Sequence, residues 1–169
     1  MFVRKANPTD LPAIAELYEK GKALLHKNGV NQWQDGYPNS NSAKADISEG
    51  ISYVIESDNT VIGSACIIFG EEPTYQDIYE GSWETDSSHY GFLHRVTVSP
   101  DYAGKRLAVY LFEKAEQLAK EKQISLLRCD THKDNISMQK TLTYNGFEKR
   151  GIIFLENGDK RLAYEKIIP

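Results

Sequence analysis

Residues 98–108 read VSPDYAGKRLA, between an apolar β-branched run and a long helical pattern. A small-residue turn that opens a helix can cradle phosphate. The first N–H groups of a helix lack internal acceptors, and the macrodipole puts positive potential there. Small side chains let an anion approach those groups. Ala103, Gly104 and Ala108 are small, and Lys105 and Arg106 add positive charge. The same residues also make an ordinary proline-initiated turn, and the spacing alone leaves both readings open. A second group is Asp130, Thr131 and His132 in RCDTHKDN, at the C-terminal end of an apolar run. Open α/β sheets tend to place ligands at such strand ends. His132 could assist proton transfer there, or brace the helix that follows. A third group is aromatic: Trp33, Gln34 and Tyr37 in one polar loop, Tyr75, Tyr79 and Trp83 in another. Asp35, Glu72, Asp77, Glu80 and Glu84 lie among them. Aromatic walls with nearby carboxylates suit a cation. The alternative is that Trp33 and Trp83 fill the core and the acids are solvated.

The bulk numbers narrow the classes. The chain has 169 residues, 40% of them hydrophobic and 26% charged, which is enough for one folded domain with a real core. Net charge of −4 argues against non-specific binding to nucleic acid or to an anionic membrane. No apolar run approaches the roughly 20 residues that span a bilayer. The start, MFVRKANPTD, has no signal-peptide core, so a cytoplasmic location is expected. Cys66 and Cys129 lie in separate apolar runs, which suggests buried thiols rather than a disulfide. The His, Asp and Glu residues show no metal-ligand spacing, so no metal is expected. His26 and His89 have no partners in sequence and read as surface residues.

These residues need elements to position them. Phe2–Lys5 reads as a short strand, and Asn7-Pro8-Thr9-Asp10 as a helix start. Leu11, Ile14, Ala15, Tyr18 and Leu25 then recur at helical spacing. A short helical pattern covers 42–49. Strands at 51–56 and 60–69 flank an Asp58-Asn59 turn and form a hairpin. The long loop at 70–88 is of the kind that is either functional or disordered, and its aromatics argue against disorder. A strand at 90–99, a helix at 104–122, a strand at 125–130 and a helix at 135–145 follow, the last closed by Gly146. Two strands, at 147–156 and 160–168, end the chain around Asn157-Gly158. The order predicts an α/β (α+β) domain: a mixed sheet of about seven strands with helices on both faces.

The run RVTVSPDYAGKRLAVYLFEKAEQLA resembles the acetyl-CoA-binding motif of the GNAT superfamily of N-acetyltransferases. DNISMQKTLTYNGFEKRG resembles the second motif of that superfamily, an Asn on a helix leading to a Gly-Phe strand start. QWQDGYP and the closing GIIFLENGDKRLAYEK are similar to one group of small bacterial members, and the element order matches along nearly the whole chain. The resemblance implies a pyrophosphate loop at Ala103, Gly104, Lys105, Arg106, Leu107 and Ala108. Two positions depart from the pattern: Ala103 stands where Arg or Gln is usual, and Arg106 where Gly is usual. Main-chain N–H donation survives both changes, and Arg106 could meet a coenzyme A phosphate instead. Val96, Thr97 and Val98 match the strand edge that pairs with the pantetheine arm. Asn135 matches the Asn that contacts the cofactor, with Met138 and Lys140 one turn further on. The resemblance also allows a homodimer.

Acetyl transfer to an amine needs a proton taken from the ammonium, a polarised thioester carbonyl, and a leaving thiolate that is ideally protonated. Many relatives use a Glu early in the fourth strand, where this chain has Phe92. His94 lies two residues on, on the same strand face, and amine-acetylating relatives carry a His there. A neutral imidazole suits that role; a half-buried histidine bonded within the sheet is the alternative. The usual general acid is a Tyr seven residues after the helix Asn, and here that position is Leu142. Tyr144 lies roughly 200° further round the helix, so it is a weak substitute. The implied reaction is transfer from acetyl-CoA to a primary amine of a small molecule by direct attack. His94 is its first candidate base, with His132 and carboxylates such as Glu80 behind it. Trp33, Tyr37, Tyr79, Glu80 and Trp83 are the candidate acceptor residues. A peptide or protein N-terminal acetyltransferase and a non-catalytic acyl-CoA-binding regulatory module stay open as alternatives.

Overall fold

A computed structural model describes all residues, 1–169. The chain forms seven strands and four α-helices: β1 (Phe2–Lys5), α1 (Leu11–Lys27), α2 (Ser40–Ser48), β2 (Ser52–Ser57), β3 (Thr60–Gly70), β4 (Tyr90–Val98), α3 (Ala108–Glu121), β5 (Leu126–Thr131), α4 (Ile136–Tyr144), β6 (Glu148–Phe154) and β7 (Lys160–Ile167). They make one seven-stranded mixed sheet in the order β1-β2-β3-β4-β5-β7-β6. The β4–β5 pair is parallel and covers only Gly91↔Leu127 and Phe92↔Arg128. No helix is long and apolar enough to cross a membrane.

The chain divides into two compact units. The first comprises Met1–Ile67 and Leu93–Lys114. Its β2–β3 hairpin turns at Asp58 and Asn59, with φ of 50° and 61°, the left-handed pair that a tight two-residue turn needs. One apolar cluster joins Ile55, Ile62, Ala65, Leu107 and Leu111, with Val96, Val98 and Tyr102 packed against it. Another joins Ile14, Tyr18, Ala43 and Val54, with Trp33 against it. Asn7 and Asp10 form a capping box ahead of α1. Arg4 donates two bonds to Asp10, at 2.8 and 3.0 Å, and one to Glu56 at 2.6 Å.

The second unit comprises Ile68–Phe92 and Ala115–Pro169. Its core gathers Tyr75, Tyr90, Phe92, Leu126, Ile153 and Ala163. Helix α4 ends in a left-handed Gly146 (φ 82°). There Phe147 N–H donates to Leu142 O and Gly146 N–H to Thr143 O, both at 3.0 Å, which satisfies carbonyls the helix would leave open.

Most element bounds fall within two residues of expectation, which is the scatter of helix and strand ends. Helix α3 is the exception. It begins at Ala108 rather than 104, because Gly104 (φ 79°) and Arg106 (φ 52°) are left-handed and cannot continue a right-handed helix. The 70–88 segment is ordered. A 3-10 turn at Pro73–Tyr75 opens it, and Tyr79 pairs with Ile152 as an isolated antiparallel bridge.

Candidate functional site

The turn from β4 into α3 lies wholly in the first unit. Ser99 caps a 3-10 turn at Pro100–Tyr102, its hydroxyl accepting from Asp101 N–H. Ala103, Gly104, Lys105 and Arg106 are exposed, whereas Leu107 and Ala108 are buried and anchor the start of α3. Val109 N–H donates to Arg106 O and Tyr110 N–H to Leu107 O, both at 3.1 Å. The N–H groups ahead of them therefore belong to the open helix end. A Cβ built on Gly104 would meet nothing within 4 Å, so the requirement there is conformational: φ is 79°. Arg106, where the superfamily pattern has Gly, has φ of 52°, in the left-handed region that glycine enters most freely. Lys105 lies over the Tyr102 ring, its Nζ 5.1 Å from the centroid. An open helix start, a left-handed turn and two cations fit a diphosphate.

Strand β4 carries the other candidate cofactor residues of this unit. Thr97 is buried and its hydroxyl donates to Leu17 O at 3.4 Å. Val96 and Val98 pack against the Leu107–Leu111 cluster, so their backbone rather than their side chains is what they could offer a ligand. His94 is half-buried, two residues past the last β4–β5 ladder pair. Arg95 follows it with φ of 55°, a left-handed residue inside a strand. Its Nε and Nη2 donate to Asp46 at 2.9 and 2.8 Å, and its Nη1 donates to the Tyr37 hydroxyl. Cys66 Sγ donates to the same Asp46 carboxylate at 3.2 Å. Neither Arg95 nor Asp46 stood out in the sequence. The signal available was a cation inside an apolar strand and an acid on the Ala43–Ile47 side of α2.

Tyr37 is therefore tied to β4, with its ring 46% exposed. Trp33 is set into the first unit instead, edge-on to Tyr18 at 5.8 Å. Its ring lies so close to Gly21 that a Cβ there would meet Cζ3 at 3.1 Å.

In the second unit, Asn135 is the N-cap of α4, and its side-chain oxygen accepts from Met138 N–H at 3.1 Å. Met138 is half-buried and Lys140 exposed. His132 Nδ1 accepts from Asp134 N–H at 3.1 Å, which leaves the proton of the neutral ring on Nε2. Burial, helped by Arg161, holds its pKa below the usual histidine value. This histidine braces the turn into α4 and presents no spare lone pair. Tyr144 is 59% exposed and Leu142 fully buried.

Trp83 also serves the fold. Its Nε1 donates to Tyr75 O at 2.8 Å, and the Arg128 guanidinium stacks 4.1 Å from its ring. Arg128 also pairs with fully buried Glu165 at 2.9 Å and donates to Thr85 O at 2.6 Å. Tyr79 and Glu80 remain outside this packing. Tyr79 is half-exposed, edge-on to Phe154 at 5.3 Å, and Glu80 lies 3.8 Å from Lys160. Tyr75 is buried and its hydroxyl donates to Asp130 at 2.6 Å. Burial first, then Asp130, pushes its pKa well above the usual tyrosine value, so it stays a donor.

Both thiols are buried. Cys66 is pushed up to about 12, chiefly by burial, and burial likewise raises Cys129.

The profile of the Acetyltransferase (GNAT) family matches residues 13–147. No curated protein matches the chain. Among solved structures, a GNAT-family acetyltransferase from Streptococcus agalactiae 2603 is 36% identical, with TM-score 0.90 over 99% of this chain and 95% of that one. A putative acetyltransferase from Staphylococcus aureus Mu50 is 24% identical, with TM-score 0.75 over all of both chains. The PaiA N-acetyltransferase of Thermoplasma acidophilum, solved in complex with coenzyme A, has the same fold at 18% identity, with TM-score 0.70 over 98% and 97%. The matched profile covers most of the sequence and the Streptococcus protein nearly all of it, so this chain belongs to the GNAT family of acetyltransferases.

Proposed function

We propose that this N-acetyltransferase acetylates a primary amine of a small molecule by direct attack on the thioester, with His94 as general base. The family uses acetyl-CoA. When bound, it supplies an activated acyl group and a thiol leaving group. The 103–108 turn would hold its diphosphate through backbone N–H groups, with Lys105 and Arg106 adding charge. Val96 and Val98 would offer main-chain donors and acceptors to the pantetheine arm.

His94 accepts the proton of the incoming ammonium, directly or through a water, which frees the amine lone pair. Tyr37 offers the incoming amine a half-exposed aromatic face that attracts a cation. Burial of both thiols speaks against a cysteine acyl-enzyme and supports direct attack. The observation that carries the reading is the tie between Tyr37 and Arg95, the residue after His94. It fixes an exposed aromatic ring to the strand that carries His94.

Phe92 and Leu142 favour a second reading. Both occupy positions where relatives carry acid-base groups, and both are buried. A module that binds acyl-CoA without turning it over would look the same there. One experiment separates the readings: thermal stabilisation by acetyl-CoA, then thiol release with a panel of small amines and of peptides. Turnover confined to small amines supports the proposal. Peptide turnover moves the acceptor class to N-termini. Stabilisation without any turnover leaves the binding module.

A further inference from the structure

We infer that Asp46, acting through Arg95, is a positioning residue that sets the aim of His94; this rests on the His94 reading above. Residues with a Cβ populate the left-handed region less readily than the right-handed one by roughly 5- to 30-fold, and Arg95 holds φ of 55° inside β4. Something must hold it there. Asp46 does so with a two-point fork, Nε and Nη2 at 2.9 and 2.8 Å. The pair is largely shielded, with side-chain exposures of 14% and 8%. Cys66 donates to the same carboxylate, and the remaining guanidinium nitrogen donates to Tyr37.

Stability alone is a poor reason for this pair, since apolar residues of similar volume often do as well in a buried position. Geometry is a better one. In a regular strand, 92, 94 and 96 would share one face. A left-handed residue at 95 breaks that alternation between His94 and Val96 and re-aims the side chain beside it. His94 lies directly before this kink and two residues past the last β4–β5 pair, Phe92↔Arg128, so the kink bears on the direction it takes. The same guanidinium fixes Tyr37, so one ion pair sets both the candidate base and the aromatic ring on its strand.

The test compares two double variants that both lack the ion pair. Asp46→Asn/Arg95→Gly places at 95 a residue that enters the left-handed region freely; Asp46→Asn/Arg95→Ala does not. The glycine pair is expected to be a rescue. Its His94 and Val96 backbone amide shifts, measured without acetyl-CoA, should match the parent, and its kcat should exceed that of the alanine pair, while its KM for the amine rises because Tyr37 has lost its tie. The alanine pair should show displaced shifts and about tenfold lower kcat, with the KM for acetyl-CoA essentially unchanged. Equal shifts and equal kcat in the two pairs would overturn the inference, as would a glycine pair as impaired as the alanine pair. If the alanine pair does not fold, Asp46→Asn/Arg95→Asn replaces it. Asn visits the left-handed region more readily than other non-glycine residues, so its shifts should lie between those of the parent and a regular strand. Shifts that match between the glycine and asparagine pairs, both displaced from the parent, would overturn the inference. A parent without turnover would remove the acetylation reading, and the amide shifts would still decide the role of Asp46.

Discussion

Gly104 and Arg106, two positions apart in the turn before α3, share a left-handed backbone with φ of 79° and 52°. The superfamily pattern has glycine at the second of these. Here an arginine holds the left-handed backbone that glycine tolerates best and adds an exposed guanidinium.

Replacing Arg106 by Gly separates the two contributions. Relief of the left-handed penalty is worth about 1–2 kcal/mol, and the extra freedom of glycine in the unfolded chain takes back about 0.5–1 kcal/mol. Melting should therefore show Arg106→Gly as stable as the parent or slightly more so. Loss of a charged hydrogen bond to phosphate should weaken acetyl-CoA binding about tenfold, which calorimetry reads directly. Unchanged or tighter binding would show that the guanidinium does not touch the cofactor.

The role of His94 has a sharp signature. His94→Gln keeps polarity and approximate size, so acetyl-CoA should bind and stabilise the variant as it does the parent. Turnover with the best amine of the panel should fall about 10²- to 10⁴-fold, the usual contribution of a general base. Retained turnover would transfer the role to another group.

Much of the fold could be read from the sequence, because each element carries its own local signal. Apolar, β-branched runs bounded by turn residues gave the strands, the spacing of Leu11, Ile14 and Tyr18 gave α1, and Asp58-Asn59 and Gly146 gave their turns. What could not be read has no signal in the residue types themselves. The start of α3 is set by left-handed backbone at 106, and nothing in an arginine announces that conformation. The Arg95–Asp46 pair spans 49 positions and has no sequence motif. Trp33 and Trp83 sat in loops that suited an acceptor wall or a core equally well, and Gly21 and Arg128 draw both rings inward.

His132 predicts a pH dependence of stability. Its folded pKa lies below the unfolded value of about 6.5, chiefly through burial and then through Arg161. Above that value both states are neutral and the residue contributes nothing. As pH falls through about 6.5 the unfolded chain takes up the proton first, so stability drops. His132→Asn keeps a side-chain acceptor for Asp134 N–H and has no such proton. The urea midpoint should therefore fall less between pH 7.5 and 5.5 in the variant than in the parent. Equal drops would show that the ring titrates alike in both states.

The last prediction concerns how the 70–88 segment is strapped to β6. Tyr79 and Ile152 exchange two backbone hydrogen bonds, both at 2.8 Å. The approach requires glycine on both sides. A Cβ on Gly81 would lie 1.9 Å from Arg150 O, and one on Gly151 would lie 2.5 Å from Tyr79 O. These neighbours are backbone atoms and cannot swing aside as a side chain could. Gly151→Ala should therefore lift the strap at Tyr79 and destabilise the fold by about 1–3 kcal/mol, as overpacking does. The segment keeps its other ties, Trp83 to Tyr75 O, Glu84 N–H to Glu165 at 2.9 Å, and Arg128 to Thr85 O. Only its first half should loosen, and limited proteolysis should cut near 76–82 sooner than in the parent. If Tyr79 and Glu80 recognise the acceptor, the KM for the amine should rise severalfold while the KM for acetyl-CoA stays put. A variant that is cut faster yet keeps its amine KM would take both residues out of acceptor recognition and leave the strap a purely structural feature.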